Sequence, residues 1–136
     1  MNYFLDTNVI IDAIRGKNSN IKKHFENIQP SHIFVSSIVI AELEYGAKHS
    51  ADYDMNKTLY ERFIKDFTEV PFVKEYSEKY GEIRHALSKT GRPIGSNDML
   101  IAATVLANEG TLVTHNTDEF VRIHGILLED WTFGLI

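Results

Sequence analysis

The hydrophobic pattern of this chain switches repeatedly between short apolar runs and longer stretches with helical spacing. Short apolar runs bounded by turn residues are typical of buried strands, whereas apolar residues three and four positions apart are typical of helices. The pattern predicts strands over residues 3–5, 32–35, 69–72, 111–114 and 126–129. It predicts helices over residues 9–15, 19–29, 38–48, 54–67, 73–88, 99–108 and 118–123. This alternation favours an α/β fold with a mainly parallel, roughly five-stranded sheet covered by helices on both faces.

The length and composition limit the classes of protein that this chain can belong to. Its 136 residues suit one domain, and with no internal repeat or linker we expect that domain to span residues 1–136. The absence of cysteine excludes disulfides, thiolate nucleophiles and Cys-ligated zinc. No apolar run approaches the roughly 20 residues of a membrane span, so we expect a cytoplasmic protein without a membrane.

The formal net charge of −5 argues against non-specific nucleic-acid binding through overall charge. It still permits a local basic strip beside an acidic, cation-loaded centre. Charge alone therefore decides little about the partner.

Three acidic residues interrupt otherwise apolar segments. Asp6 ends the first predicted strand, and the carboxyl ends of strands are where open α/β sheets hold ligands. Glu42 lies in an apolar helix, and burying an ionised Glu is costly unless it is paired or coordinates a metal. Asp98 lies in the first turn of a strongly apolar helix. The structural alternatives are a helix cap for Asp6, a solvated side chain for Glu42 and a partner of the helix dipole for Asp98.

Two further polar residues, Asn116 and Asp118, follow the fourth predicted strand. A simple Asx turn is the alternative explanation for them. Since the carboxyl ends of parallel strands share one edge of a sheet, and helices return from that edge, we expect all five side chains to gather there. Carboxylate and amide oxygens are the ligands of hard cations, so the pattern predicts a Mg²⁺ or Mn²⁺ site.

Four ordered motifs of this chain resemble those of the PIN-domain ribonucleases, and more closely the VapC toxins of toxin–antitoxin pairs. The motifs are Leu5-Asp6-Thr7-Asn8, Ser36-Ser37 with Ala41-Glu42, Gly91-Arg92-Pro93-Ile94-Gly95 leading to Asp98, and Val113-Thr114-His115-Asn116-Thr117 with Glu119-Phe120. They span nearly the whole chain in the family's order. The resemblance implies a PIN-like three-layer α/β/α sandwich.

The resemblance also implies roles for particular residues. Asp6, Glu42 and Asp98 would form the acidic centre and hold the metal. The family often has a fourth acid where this chain has Asn116, and Asp118 is a candidate for supplying the missing charge. The hydroxyls that would orient the carboxylates belong to Thr7, Ser37 and Thr114.

The implied activity is Mg²⁺- or Mn²⁺-dependent hydrolysis of RNA by an endoribonuclease toxin, with tRNA or another structured RNA as the expected substrate. Lys89 and Arg92, in the loop before Asp98, are the expected RNA contacts. His115 is at most a substrate contact, and a plain turn residue is the favoured interpretation. The resemblance further implies a VapB-like antitoxin and a homodimer.

Two other functions are weighed against this one. A receiver-type phosphoacceptor domain also places Mg²⁺ on carboxylates in a small α/β fold, but it needs adjacent acids after the first strand and a Lys near the end. Here Thr7 follows Asp6, and no Lys lies beyond Lys89. A PIN-shaped binding module with a decayed site is the second alternative, which Asn116 keeps open.

Overall fold

The computed structural model describes residues 1–134, and at its centre lies one sheet of five parallel strands. The strands are β1 (Tyr3–Leu5), β2 (Ile33–Ser36), β3 (Thr68–Val70), β4 (Thr111–Val113) and β5 (Leu127–Glu129). Their spatial order is β3-β2-β1-β4-β5, with every neighbouring pair parallel. The predicted α/β/α fold with a parallel five-stranded sheet is confirmed.

Helices provide the connections between the strands. Within residues 1–134 they are α1 (Thr7–Arg15), α2 (Ser19–Glu26), α3 (Ser37–His49), α4 (Tyr53–Ile64), α5 (Ser77–Thr90), α6 (Ser96–Ala107) and α7 (Thr117–Phe120). Short 3₁₀ turns at Pro30–His32 and Lys74–Tyr76 precede β2 and α5. None of the helices in this described part is long and apolar enough to cross a membrane.

The order of the strands creates a crevice between β1 and β4. The chain first adds β2 and β3 on one side of β1 and then returns to place β4 and β5 on the other side. Leu5 pairs with Val113 at the carboxyl ends of β1 and β4, and the Asp6 N–H donates to the Val113 carbonyl at 2.9 Å. A point where the strand order reverses is where open α/β sheets bind their ligands.

The core lies on both sides of the central strands and includes most of α6. Phe4 and Leu5 of β1, and Leu112 and Val113 of β4, are at most 2% exposed. Helix α6 is apolar nearly all round, and its consecutive residues 101–105 are all buried. Because α6 packs into the core, the acidic residue in its first turn is held in a fixed position at the edge of the sheet.

Some predicted boundaries are wrong by a few residues. Helix α6 begins at Ser96 and not at residue 99: its cap is Gly95, which has no side chain, and Asp98 is the third residue of the helix. Helix α4 ends at Ile64 and not at Phe67, because the chain must already extend toward β3 there. The fold is unaffected by these shifts.

Candidate active site

Asp6 lies at the bottom of the crevice, with only 7% of its surface exposed. Its Oδ1 accepts a hydrogen bond from the Thr7 N–H at 2.9 Å, so Asp6 is the N-cap of α1. Its Oδ2 accepts from the Thr114 hydroxyl at 2.8 Å. The helix-cap reading of Asp6 is therefore correct, but each carboxylate oxygen also keeps a lone pair for a further ligand.

Glu42 is tied to Asp6 through one intervening residue. The Thr7 hydroxyl donates to Glu42 Oε1 at 2.7 Å, across 35 positions of sequence. Glu42 is half-buried in the second turn of α3, whose N-cap Ser36 places that helix at the carboxyl end of β2. Thr7 and Thr114 thus each donate a hydrogen bond to one carboxylate, and their orienting role in a metal site stays a prediction.

Asp98 faces the same space from the start of α6. Burial, and to a smaller extent the negative charges of Asp6, Glu42 and Glu119, together raise the pKa of Asp98 to about 6. Burial also raises the pKa of Asp6, and the negative charge of Glu42 adds a smaller increase. The hydrogen bonds from Thr114 and Thr7 lower the pKa of Asp6, but they do not outweigh these two effects. Asp6, Glu42 and Glu119, from three other parts of the chain, thus lie close enough to Asp98 to raise its pKa.

The fourth acid is Glu119, which belongs to the fourth sequence motif but was given no role there. Asn116 donates from Nδ2 to Glu119 Oε2 at 3.0 Å, and from its backbone N–H to the Thr114 hydroxyl at 2.9 Å. Asp118 is exposed to solvent, since successive residues of α7 point about 100° apart around the helix. The sequence signal that could have identified Glu119 is its spacing of three residues from Asn116, because this spacing puts both side chains on one face of a helical turn.

Three other predicted residues lie outside this group of carboxylates. Ser37 accepts a hydrogen bond from the Phe72 N–H at 3.0 Å, and within residues 1–134 it makes no hydrogen bond to a carboxylate. The predicted orienting role of Ser37 is therefore not found, because its hydroxyl holds the segment after β3. Lys89 and Arg92 are exposed near the end of α5, where Gly91 ends the helix at a φ of 67°. Their loop leads directly into α6 and Asp98.

The donor set suits a hydrated divalent cation. None of the four carboxylates forms an ion pair with Lys or Arg in the part of the chain that the structure describes, so their charge is not compensated by protein. No three acidic or histidine side chains among those residues are arranged to hold one ion together. Mg²⁺ commonly binds through one or two carboxylates and keeps several waters, which fits this spacing. Asp6 and Asp98, the two acids with raised pKa values, are the suitable direct ligands.

An apolar groove opens beside Glu42, between α1, α3 and α4. Its volume is about 380 Å³, and its lining includes Ile14, Arg15, Glu42, Leu43, Leu59 and Tyr60. Three large apolar side chains of α3 and α4 are also exposed, namely Tyr45 at 69%, Met55 at 54% and Leu59 at 41%. The groove therefore joins the acidic site to a wider apolar surface.

Glu44 fixes the wall of this groove by joining α3 to α4. Its carboxylate accepts hydrogen bonds from Tyr53 at 2.6 Å, Tyr60 at 2.5 Å and Lys57 at 2.9 Å. These three donors lower the pKa of Glu44 to about 2, with the Tyr53 hydroxyl contributing most. Helix α4 is thereby held against α3 by charge-assisted hydrogen bonds as well as by apolar packing.

Comparison with known proteins gives consistent matches along the chain. The family model described as PIN domain matches residues 3–126. The chain is similar to Ribonuclease VapC2 of Rickettsia felis, with 37% identity over 132 residues that cover 96% of this chain and 98% of that protein. It is similar to the tRNA(fMet)-specific endonuclease VapC of Shigella flexneri, with 32% identity over 132 residues, or 97% of this chain and 99% of that one.

Solved structures with the same fold include toxin–antitoxin complexes. VapBC2 from Rickettsia felis, bound to a DNA fragment from their promoter, has a chain that matches with a TM-score of 0.90 and 36% identity, covering 96% of this chain and 99% of that chain. VapBC-1 from nontypeable Haemophilus influenzae matches with a TM-score of 0.88 and 33% identity, covering 98% and 100%.

Proposed function

Because this chain belongs to the PIN-domain family and, within it, to the VapC group, we propose that it is a metal-dependent endoribonuclease of a toxin–antitoxin pair. The main support is the convergence of Asp6, Glu42, Asp98 and Glu119 at the crevice between β1 and β4. Metal-assisted hydrolysis needs such uncompensated carboxylates near the substrate. The relatives named as ribonucleases make RNA the first substrate to test.

In this proposal Asp6 and Asp98 hold Mg²⁺ or Mn²⁺, and Glu42 assists. When bound, the ion supplies a Lewis acid for the scissile phosphate and lowers the pKa of the attacking water. Thr7 and Thr114 fix the carboxylates of Glu42 and Asp6 by hydrogen bonds, so that these do not reorient as charge develops. Glu42 uses Oε1 for Thr7, which leaves Oε2 to accept the proton that the water loses. If the P–O3′ bond breaks and the 3′-oxygen takes a proton from solvent, attack by water would leave a 5′-phosphate and a 3′-hydroxyl.

Asn116 acts on Glu119 in this arrangement. Its amide donates to Glu119 Oε2, and as a neutral side chain it adds no further negative charge beside Asp6. Glu119 then supplies the fourth charge of the centre. Asp118, the acid that the sequence suggested for this position, faces solvent.

A tRNA is the substrate that we propose, since the relative from Shigella flexneri is named for tRNA(fMet). Lys89 and Arg92 are the proposed phosphate contacts, because their exposed loop leads straight to Asp98. Arg in particular can donate two parallel hydrogen bonds to a phosphate.

A VapB-like antitoxin is the proposed protein partner, since the matched solved structures are VapBC complexes. The apolar groove beside Glu42 is a suitable surface for it. A helix lying in that groove would cover Leu59 and reach the acidic site at the same time. A homodimer is also proposed on the basis of the family.

The test is cleavage of total cellular RNA by the purified protein with Mg²⁺ or Mn²⁺, compared with an EDTA control. Asp6→Asn should abolish the discrete fragments, since it removes a charge that holds the metal, while thermal unfolding shows a retained fold. Asp66→Asn, an exposed acid just before β3 at the opposite edge of the sheet, is the matched control and should cleave normally.

A second pair of variants identifies the fourth acid. We expect Glu119→Gln to lower kcat/KM at least tenfold and Asp118→Asn to change it less than twofold. The reverse result would return the fourth position to Asp118. An absence of cleavage by folded, antitoxin-free protein would favour a binding module with a decayed site.

A further inference from the structure

We propose that His115 contacts a ribose 2′-hydroxyl beside the scissile phosphate and so makes this nuclease selective for RNA over DNA. The inference rests on the proposed nuclease function and adds a specificity residue to it. It depends on a group of three side chains, His115, Asp130 and Thr132, which the acidic centre does not use.

His115 follows the end of β4 by two residues, at the carboxyl edge of the sheet. It lies between Thr114, which bonds to Asp6, and Asn116, which bonds to Glu119. Its side chain is 69% exposed. Neighbouring strands are about 4.8 Å apart, so Thr114 lies one strand from Asp6, and the ring of His115 is held beside Asp130, which follows β5. A nucleic acid with its phosphate at the carboxylates would reach this ring along the same edge of the sheet.

The ring is held in one orientation from behind. His115 Nδ1 lies 2.9 Å from Asp130 Oδ2, and Asp130 is itself fixed because its Oδ1 accepts from the Thr132 N–H at 2.9 Å and the Thr132 hydroxyl at 2.6 Å. Only 13% of the Asp130 side chain is exposed. A surface histidine that is held by Asp130, which is itself held by Thr132, is preorganised for a contact. This preorganisation reduces the conformational entropy lost on binding.

The network also assigns the hydrogen on the ring. Partial burial raises the pKa of Asp130, but the hydrogen bonds from Thr132 and His115 outweigh that effect, and the pKa of Asp130 lies below its usual range. An ionised Asp130 only accepts hydrogen bonds, so the hydrogen between the two side chains belongs to His115 Nδ1. Nε2 is then the nitrogen that faces solvent and is available to a ligand.

A hydroxyl group suits this nitrogen better than a phosphate does. A 2′-hydroxyl both donates and accepts, so it pairs with Nε2 whether the ring is neutral or protonated. A phosphate oxygen pairs with Nε2 only when the ring is protonated. The negative charge of Asp130 directly behind the ring also opposes the approach of a phosphate. The 2′-hydroxyl is also the group that lets a protein distinguish RNA from DNA.

The experiment combines protein variants with substrate variants. The substrates are a short RNA that contains the mapped cleavage site and a series with one 2′-deoxy nucleotide at each position near the scissile phosphate. The proteins are the wild-type full chain and its His115→Ala and His115→Gln variants. In His115→Gln the side-chain amide reaches the place of Nε2. KM and kcat are measured for each pair, and the Kd of the all-ribose RNA is measured in an Asp6→Asn background.

We expect His115→Ala to raise KM and Kd for the all-ribose RNA about fivefold to tenfold, with kcat nearly unchanged, since one hydrogen bond is lost. One 2′-deoxy position should cost the wild-type chain a similar factor and cost His115→Ala nothing more. His115→Gln should recover part of the loss.

An equal increase in KM on every substrate would overturn the proposal, because it would indicate a phosphate contact or a structural role. Unchanged kinetics for His115→Ala would overturn it as well and leave the pair as a surface link between two loops. If the wild-type chain cleaves no RNA at all, the proposed function fails, and this inference fails with it. If the wild-type chain cleaves RNA and the kinetics of His115→Ala are unchanged, this inference fails while the proposed function stands.

Discussion

At the scale of single residues, the acidic site is most evident in the raised pKa of Asp98. In the unfolded chain its carboxyl ionises near 3.8, whereas burial and the neighbouring charges raise its pKa in the folded chain to about 6. The folded state therefore holds the proton more tightly than the unfolded state between these two values. As pH rises through this interval, the free energy of unfolding decreases, and above it the full penalty remains. The ionised acidic site therefore destabilises the folded chain, and the proposed cation would offset that cost.

This leads to a prediction for Asp98→Asn in the presence of EDTA. At pH 7.5 the variant should be more stable than the wild-type chain by about 1 to 2 kcal/mol, a figure reduced for solvent screening at a half-buried group. The difference should vanish near pH 3.5, where the carboxyl is neutral in both states. Urea unfolding at the two pH values measures it.

The matched ion experiment uses the same two proteins. Millimolar Mg²⁺ or Mn²⁺ should raise the unfolding temperature of the wild-type chain more than that of Asp98→Asn. Equal stability of both proteins at pH 7.5, with and without the ion, would contradict the electrostatic account of the site.

Sequence reasoning succeeded for residues whose neighbours in the chain reveal their place. Asp6 follows an apolar run and Asp98 begins an apolar helix, so both can be located at the edge of a sheet. Glu119 could not be distinguished from Asp118, because the choice depends on how a four-residue helix is rotated over Thr114. Ser37 was given the wrong partner for a similar reason, since the position of the segment after β3 is a tertiary feature.

At the scale of elements, the connection between α6 and β4 passes very close to β1. Gly110 is buried there, and a Cβ at this position would lie 2.5 Å from Phe4 Cε1 and 3.2 Å from the Asn2 carbonyl oxygen. Phe4 is itself 2% exposed and stacks on Phe34 at 5.2 Å, so it has little space to move. The absence of a side chain at Gly110 allows β4 to pair closely with β1.

Gly110→Ala should accordingly destabilise the protein by about 1 to 3 kcal/mol through overpacking. Gly81→Ala is the matched control, since Gly81 lies in α5 with nothing within 4 Å of its would-be Cβ. That variant should gain up to about 1 kcal/mol from helix propensity. Urea unfolding measures the two changes in the free energy of unfolding. Changes of opposite sign would confirm the close approach of Gly110 to Phe4, and two similar changes would contradict it.

Helix and strand periodicity predicted the order and type of the elements, because each buries one apolar face. It could not predict the cap of α6, because Gly95 contributes no polar group to recognise. It also could not give the strand order, since the pairing of β1 with both β2 and β4 depends on contacts far apart in sequence.

For the whole molecule, the net charge of −5 means that the proposed RNA binding would depend on a few local basic residues. Lys89 and Arg92 are exposed beside the site, and Lys65 is exposed at the opposite edge of the sheet, between α4 and β3. Each phosphate contact to a single strand contributes about −0.7 to the slope of log affinity against log salt.

Arg92→Ala should therefore weaken binding to an uncleaved RNA and make that slope shallower by about 0.7, measured in the Asp6→Asn background. Lys65→Ala should leave both the affinity and the slope unchanged. An identical response of the two variants would show that general charge, and not the loop before α6, attracts the RNA.

The hydrogen bond from Thr114 to Asp6 joins residues 108 positions apart, and it has a consequence for the chain as it leaves the ribosome. At about 5 to 20 residues per second, Asp6 waits on the order of 5 to 20 s before Thr114 has been added. Parallel strands cannot close as a hairpin, so β1 has no neighbour on that side until β4 emerges. A nascent chain that lacks β4 therefore has no assembled acidic centre, and the proposed activity cannot begin before β4 has left the ribosome.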